Sequence, residues 1–304
     1  MTLQQLRQVL TIAESNSMNE AAKKLFVSQP NLSATVREVE EELGITVFMR
    51  NNRGITVTAE GEEFLGYAKQ VVEQYHLLEN RYLNVESKKK FSVSMQHYSF
   101  AVKAFVQLAK EVGMDEYEFA VHETKTKEVI DNVKNLKSEI GVLYLSDFNE
   151  KVLRKLFKEC DIEFKELFTC NTYVYLWKKH PLAGQKEITL DDLQEYPCLT
   201  FEQGVNNSFY YAEEMMSTYE YKRVIKADDR ATMLNLMVGL NGFTLCSGII
   251  SEDLNGDDYA AIPLKESEKM HIGYIKHKGT KLSKLGEIYI DAVSYTHLRA
   301  HETC

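Results

Sequence analysis

No stretch of the 304 residues is apolar for long enough to cross a bilayer, and the chain does not open on basic residues followed by an apolar run. Both absences make the cytoplasm its expected place. Paired cysteines are missing too. Of Cys160, Cys170, Cys198, Cys246 and Cys304 no two form a CxxC pair and the fifth is left over, which is the usage of free thiols in a reducing compartment. There is no excess of positive charge: the net charge of −9 argues against general binding of polyanions. Catalytic signatures are equally scarce. Without a GxSxG, P-loop, dinucleotide-binding glycine fingerprint or HExxH motif, nothing marks a nucleophile, a base or a resident metal, and no cofactor is called for. The VGLNG of Val238–Gly242 lacks phosphate-cradling spacing. His97, His122, His271 and His277 are scattered without metal spacing, Trp177 reads as packing, and there is no repeat or low-complexity segment.

What is present suffices for two or three domains with cores of their own, since the chain is 44% hydrophobic. Thr2 and Gln5 form a capping box ahead of a helix to Ala13, with Leu3, Leu6, Leu10 and Ala13 on one face. A second helix starts at Ser17, with Glu20 three residues on and the small Ala21 and Ala22 permitting a close crossing. Ser28 then caps a third. Pro30 sits in its first turn, Leu32, Val36, Val39 and Leu43 form its buried face, and Gly44 stops it. The opposite face offers Pro30, Asn31, Ala34 and Arg37 at one end and glutamates at the other. Amides, hydroxyls and guanidinium on short or forked side chains are the groups that read base edges, and a helix N-terminus attracts phosphate. An ordinary amphipathic surface helix reads the same way, so this stretch alone leaves both readings open. The next residues, MRNNRGITVTAEG, contain a turn signal and a returning strand. They predict a small hairpin wing with Arg50 at its base and Arg53 at its tip, where an arginine suits a minor groove.

With SNSMNEAAKKLFVSQPNLSATVREVEEELG, the Phe48-x-Arg50 pair and VTAEG at Val57–Gly61, the chain resembles the DNA-binding half of LysR-type transcriptional regulators, ungapped over about sixty residues. The resemblance implies that Gln29, Pro30, Asn31 and Ser33 face bases, that Ser17, Ser28, Arg37, Arg50 and Thr58 hold phosphates, and that Arg53 serves the wing. Ala34 departs from the family, which often has a basic residue there. Residues 1–62 carry six basic and eight acidic residues, so the placement of charge carries the signal rather than its sum.

From Ala59 the apolar residues Phe64, Ala68, Val71, Tyr75, Leu78, Tyr82 and Val85 recur at alternating spacings of four and three. This predicts a linker helix whose heptad seam joins two chains in a coiled coil. Packing within one chain is the alternative. A dimer would set two recognition helices on two half-sites. Ser87–Lys90 reads as a hinge.

From Phe91 short β-rich runs alternate with helical periods, which predicts a mainly parallel sheet covered by helices. The strand candidates are FSVSM, YEFAVH, EIGVLYL, TYVYLW, PCLTF, YKRVIKA, FTLCSG and MHIGYIK. The resemblance extends here more weakly. It implies a C-terminal two-subdomain α/β domain like the periplasmic binding proteins, with a small-molecule effector in the cleft, an amino acid or a sulfur metabolite being the family's suggestion. The expected division is a winged helix-turn-helix at 1–58, a coiled-coil linker and hinge at 59–90, and an effector domain at 91–293. Its subdomain I takes 91–163 plus 265–293 and its subdomain II 164–264. Ligands in such sheets bind beyond strand C-terminal ends, at helix N-termini. That rule selects Gln96, Tyr98, Ser99, Thr124, Ser146, Glu202 and Ser247 as effector-binding candidates, each of which a helix cap would also explain.

Ser294–Cys304, SYTHLRAHETC, changes composition abruptly and reads as an artefactual tail, although His297, His301 and Cys304 have zinc-like spacing on a helix. The expectation is a cytoplasmic homodimer or homotetramer that binds promoter DNA, senses a small molecule and works with RNA polymerase, apart from membranes and without catalysis. A DNA-anchored enzyme or solute-binding protein built on the α/β domain is the alternative.

Overall fold

The computed structural model describes residues 1–15, 17–51, 54–82, 88–113, 116–206 and 208–302. The chain divides into two compact units, Met1–Ser87 and Lys88–Cys304.

In the first unit the predicted caps set the helix starts. Gln5 N–H donates to Thr2 Oγ1 at 3.2 Å and Thr2 N–H to Gln5 Oε1 at 2.8 Å, opening α1 (Leu3–Ala13). Ser17 accepts from Glu20 N–H ahead of α2 (Met18–Lys24), and Ser28 from Asn31 N–H ahead of α3 (Gln29–Leu43). Gly44 ends α3 at φ 70°. The core joins Val9, Ile12, Ala21, Leu32, Val36 and Val39 to Val47 and Phe48. Two expectations shift by a position on the helix wheel. Val9 and Ile12, rather than Leu10 and Ala13, are the buried residues of α1 beside Leu6. Leu43 is exposed, because α3 has passed the core by its last turn. β1 (Phe48–Asn51) and β2 (Gly54–Val57) make the antiparallel wing.

The linker helix α4 (Ala59–Tyr82) divides the predicted seam. Phe64 and Ala68, with Val72, pack on Leu3, Leu6 and Leu10 of α1. Arg7 lies over the Tyr75 ring at 5.4 Å and bonds Glu79. Val71 and Leu78, with Tyr67, stay exposed as a separate stripe. Val85 and Arg53, and the side chains of Arg50 and Tyr82, lie outside the described residues.

The second unit contains two sheet systems. The first runs through β3 (Lys89–Met95), α5 (Ser99–Val112), β4 (Tyr117–Glu123), α6 (Thr126–Lys134), β5 (Ile140–Leu145), α7 (Glu150–Glu159) and β6 (Ile162–Asn171). The second holds β7 (Tyr173–Trp177), β8 (Cys198–Phe201), β9 (Val224–Ala227), α8 (Arg230–Leu240), β10 (Thr244–Cys246), α9 (Glu252–Asn255) and β11 (Tyr259–Pro263). The chain then returns with β12 (Lys269–His277) and α10 (Lys284–Glu302). The five-stranded order is β4-β3-β5-β12-β6, parallel among β3, β4 and β5 and antiparallel at β12. β7 pairs antiparallel with both β10 and β11, while β8 and β9 are parallel.

The sheets are thus mixed rather than mainly parallel. A chain that leaves one subdomain and returns brings its returning strands in against the local direction. The sequence reading also passed over β6 and β11. β6 stays in the first sheet through Asn171, past the crossing expected after 163. β6 is interrupted by Glu163, Lys165 and Glu166, so it does not show as an apolar run, and β11 is a short YAAIP that ends in proline. α10 carries Tyr289 and Val293 into the core and continues to Glu302. The side chains of His297 and His301, and Cys304 itself, lie outside the described residues.

Candidate functional site

Two features of the fold are sites by geometry. On the first unit, the N-terminal half of α3 buries Leu32 in the core and turns its other face outward. Pro30, Asn31, Ala34 and Arg37 are exposed, and Gln29 and Ser33 are half-buried. Gln29 Nε2 donates to Ser33 Oγ at 2.9 Å, one turn on, so two of the expected base readers hold each other in place. Ser17 and Ser28 spend their hydroxyl oxygens on caps, which leaves each O–H proton free to donate. Thr58 differs. It donates to Thr46 O and accepts from Gly61 N–H, so its proton is already used within the unit.

The glutamates at the far end of α3 serve the fold. Glu38 accepts from Gln5 Nε2 at 3.0 Å, Glu42 pairs with the amino group of Met1, and Glu40 Oε1 accepts from Val47 and Phe48. The two ends of the helix therefore differ, with exposed donors at one and, at the other, carboxylates engaged by α1, the amino terminus and the start of the wing.

On the second unit a cleft of about 710 Å³, counted to its open mouth, lies between the two sheet systems. Tyr98, Ser99 and Ser247, three of the expected effector residues, line it. The others do not, for physical reasons. Gln96 is buried and fully engaged, donating to Thr126 Oγ1 at 2.6 Å and accepting from Tyr98 O–H and Tyr144 N–H. Thr124 turns to Glu128, Ser146 is buried with its N–H on Asn149, and Glu202 is exposed.

The residues that sequence reasoning missed are charged. Glu213 and Glu214, both buried, line the cleft with His97 and Arg230. Glu213 Oε2 accepts from His97 N–H at 2.9 Å and lies 2.8 Å from His97 Nδ1, while its Oε1 accepts from Gln203 Nε2 at 2.9 Å. The His97 ring stacks on Phe201 at 3.7 Å, the two ring planes nearly parallel. Glu214 Oε1 accepts from Phe201 N–H at 2.8 Å. Burial, with the Glu213 carboxylate next in weight, pushes the Glu214 carboxyl up to about 8. Burial pulls the Arg230 guanidinium down to about 10, and Glu123 pairs with it.

The cleft is latched from both sides. Besides His97 with Glu213, Thr126 N–H donates to Gln203 Oε1 at 3.1 Å and Thr126 O–H to Tyr211 O at 2.8 Å; Tyr144 O–H reaches Ala212 O at 3.1 Å. These bonds join β3–β5 of the first sheet to the segment that follows β8. A signal for the missed pair existed in AEEMM, where two consecutive acids sit among apolar residues, but no strand end points to it. Among the described residues no group of His, Cys, Asp and Glu is arranged to hold a metal ion, and no helix is long and apolar enough to cross a membrane.

Comparison with known proteins agrees with both features. Residues 3–62 match the bacterial regulatory helix-turn-helix protein, lysR family, and residues 113–294 match the LysR substrate binding domain. The chain is 25% identical over 297 residues to the HTH-type transcriptional regulator CysL of Bacillus subtilis (strain 168), covering 94% of each. In fold it is similar to a variant of full-length OxyR from Pseudomonas aeruginosa, with TM-score 0.71 and 19% identity, covering 96% of this chain and 94% of that one. It is also similar in fold to full-length CbnR complexed with its target DNA, with TM-score 0.59 and 17% identity, covering 97% and 100%.

Proposed function

The chain belongs to the LysR family of DNA-binding transcriptional regulators, and we propose that it reads promoter DNA with α3 and the wing and couples that reading to a small molecule held in the cleft of its second unit. The observation that carries the proposal is the union, in one chain, of an exposed donor-bearing helix start and a latched cleft lined by buried polar groups. Gln29, Asn31 and Ser33 contact base edges; Ser17, Ser28, Arg37 and Arg50 hold phosphates; Arg53 enters the minor groove. Thr58 acts through its neighbours rather than its own proton. In the cleft Ser99 and Ser247 contact the effector, with His97, Glu213 and Arg230 beside them.

The exposed Tyr67, Val71 and Leu78 stripe of α4, which keeps Val71 and Leu78 of the seam that the sequence spacing picks out, supports a dimer through the linker helix. The protein acts in the cytoplasm as a dimer or tetramer, in concert with RNA polymerase, and its output is a change in DNA occupancy rather than a chemical product. The effector works by favouring one state of the latch over another; a molecule binding both equally changes nothing. A DNase I footprint on the DNA upstream of its own and neighbouring genes tests this. A long protected region with two-fold-related half-sites, altered by a cleft-binding molecule, is the expected result. A folded dimer that protects nothing at moderate salt counts against it. Ser99→Ala is expected to remove the ligand response and spare the footprint.

A further inference from the structure

We propose that the cleft takes a small molecule carrying a primary ammonium group on an apolar body, the ammonium being received by the carboxyl pair Glu213 and Glu214. This rests on the reading of the cleft as the effector site and names the class of ligand.

Two consecutive carboxyl groups, each residue 5% exposed, line one cavity. Burying such groups is costly unless each has partners. Glu213 has His97 and Gln203. Glu214 has backbone N–H groups, that of Phe201 nearest, and no cationic side chain bonds it among the described residues. The cation that does line the cleft, Arg230, is taken by Glu123. An incoming dicarboxylate or sulfate would therefore meet two carboxyl groups and no uncommitted cation, while an ammonium would find acceptors in those two carboxyl groups.

A second observation points to a ligand in this cleft. Thr244 lines the cleft, is 6% exposed, and its Oγ1 has no hydrogen-bond partner. Buried hydroxyls are seldom left so, and the arriving N–H donors of an ammonium would satisfy it. The rest of the lining includes an apolar part, with Met233, Met237, Met270 and Phe201. Unbranched methionines adapt to the shape of an aliphatic or aromatic body.

The protonation balance makes the proposal measurable. With the cleft empty, Glu214 keeps its proton at neutral pH. The ammonium favours the carboxylate, so the proton of Glu214 leaves to solvent as the ligand binds, and affinity rises with pH until Glu214 ionises unaided. The groups facing Glu214 are Glu213 on the same segment, Tyr98 beyond β3, Tyr144 on β5, Cys198 on β8 and Tyr221 before β9. The Tyr98, Tyr144, Cys198 and Tyr221 groups are all held neutral at pH 7 by burial, which leaves Glu214 to release the proton.

The test is calorimetry on the full-length protein with two matched series: phenethylamine, phenylalanine and 3-phenylpropionate, then isobutylamine, valine and isobutyrate. The amine, the amino acid or both should bind in at least one series, releasing about one proton as read from the heats in two buffers of different ionisation enthalpy. Binding by the amine alone identifies a simple amine; binding only by the amino acid shows that its carboxylate is also received. Glu214→Gln should weaken that binding at least tenfold and abolish proton release, with a melting midpoint no lower than the parent's. Thr244→Val should weaken binding in the same sense. Binding by the carboxylates alone, binding by no member, or undiminished binding by Glu214→Gln would each overturn the ammonium. A carboxylate that binds and alters the footprint would do so while leaving the effector cleft standing. A bound amine that leaves every footprint unchanged would instead count against the effector reading and keep the ammonium site.

Discussion

Val47 donates its backbone N–H to Glu40 Oε1 at 2.7 Å, and Phe48 donates to the same oxygen at 3.0 Å. A side chain near the end of the recognition helix thus caps the start of the wing. Val47 and Phe48 are both buried, so without Glu40 two N–H groups lose their acceptor away from water. Glu40→Ala is expected to cost the first unit about 2 kcal/mol. It should also weaken binding to every DNA sequence alike, because the wing moves relative to α3. Denaturant titration and gel shifts on cognate and unrelated duplexes check both parts. A loss of sequence preference alone would place Glu40 among the base contacts instead.

A Cβ at Gly61 would lie 2.3 Å from Val47 O, in the first turn of α4. Backbone cannot yield as a flexible side chain can, so helix and wing must separate if the position carries a methyl group. Gly61→Ala is expected to lower the melting temperature of the first unit by about 8–16 °C, the effect of roughly 2 kcal/mol in a domain of this size. The second unit should melt unchanged, as two-probe thermal melting would show.

These two contacts also mark how far the sequence could be read. The caps Thr2, Ser17 and Ser28 and the stop at Gly44 were legible because each is a local bond between a residue and the turn it begins or ends. The inward face of α4 was not. Its apolar residues fill two stripes, one through Phe64, Ala68 and Val72 and one through Tyr67, Val71 and Leu78, and spacing alone does not say which meets α1. The cleft was legible in part for a related reason. Tyr98, Ser99 and Ser247 follow strands, as the rule for open sheets requires, but Glu213 and Glu214 come from an irregular segment that no periodicity announces.

Phe26 ends α2 in a left-handed conformation, φ 54°, with its ring 95% exposed. Val27 N–H reaches back to Ala22 O and Phe26 N–H to Lys23 O, the Schellman arrangement that glycine and asparagine favour. An aromatic side chain there bears the left-handed strain of about 1 kcal/mol with little packing in return. Phe26→Asn is expected to stabilise the first unit by about that amount and leave DNA affinity unchanged. Reduced affinity in a stabilised variant would show that the ring touches the duplex.

The raised carboxyl of Glu214 sets a pH dependence. Its folded value of about 8 stands above the ordinary 4.5, so between the two the native chain holds a proton that the unfolded chain has released. The stability this gives is complete below about pH 4.5 and is lost as pH rises through about 8. Glutamine keeps the shape and cannot ionise. Glu214→Gln is therefore expected to raise the melting temperature more at about pH 8.5 than at about pH 5. Equal gains at both would mean that the carboxyl titrates normally.

Gln29 and Arg50 separate reading from holding. Gln29 is tied to Ser33 at the start of α3; on the proposed reading its amide faces base edges, so its loss removes a preference rather than a charge. Gln29→Ala is expected to cost about 1–3 kcal/mol on the cognate site and little on unrelated DNA, compressing the ratio between them. Arg50, expected from the sequence at the base of the wing, instead pairs with Ile55 one step from its turn, and it is assigned to a phosphate by the proposed reading. Arg50→Ala should weaken cognate and unrelated binding together and lower the slope of log K against log salt by about one. The two variants thus make opposite patterns in one experiment, a salt titration on two duplexes. An Arg50→Ala variant with an unchanged salt slope and altered preference would move that arginine from the backbone to the bases.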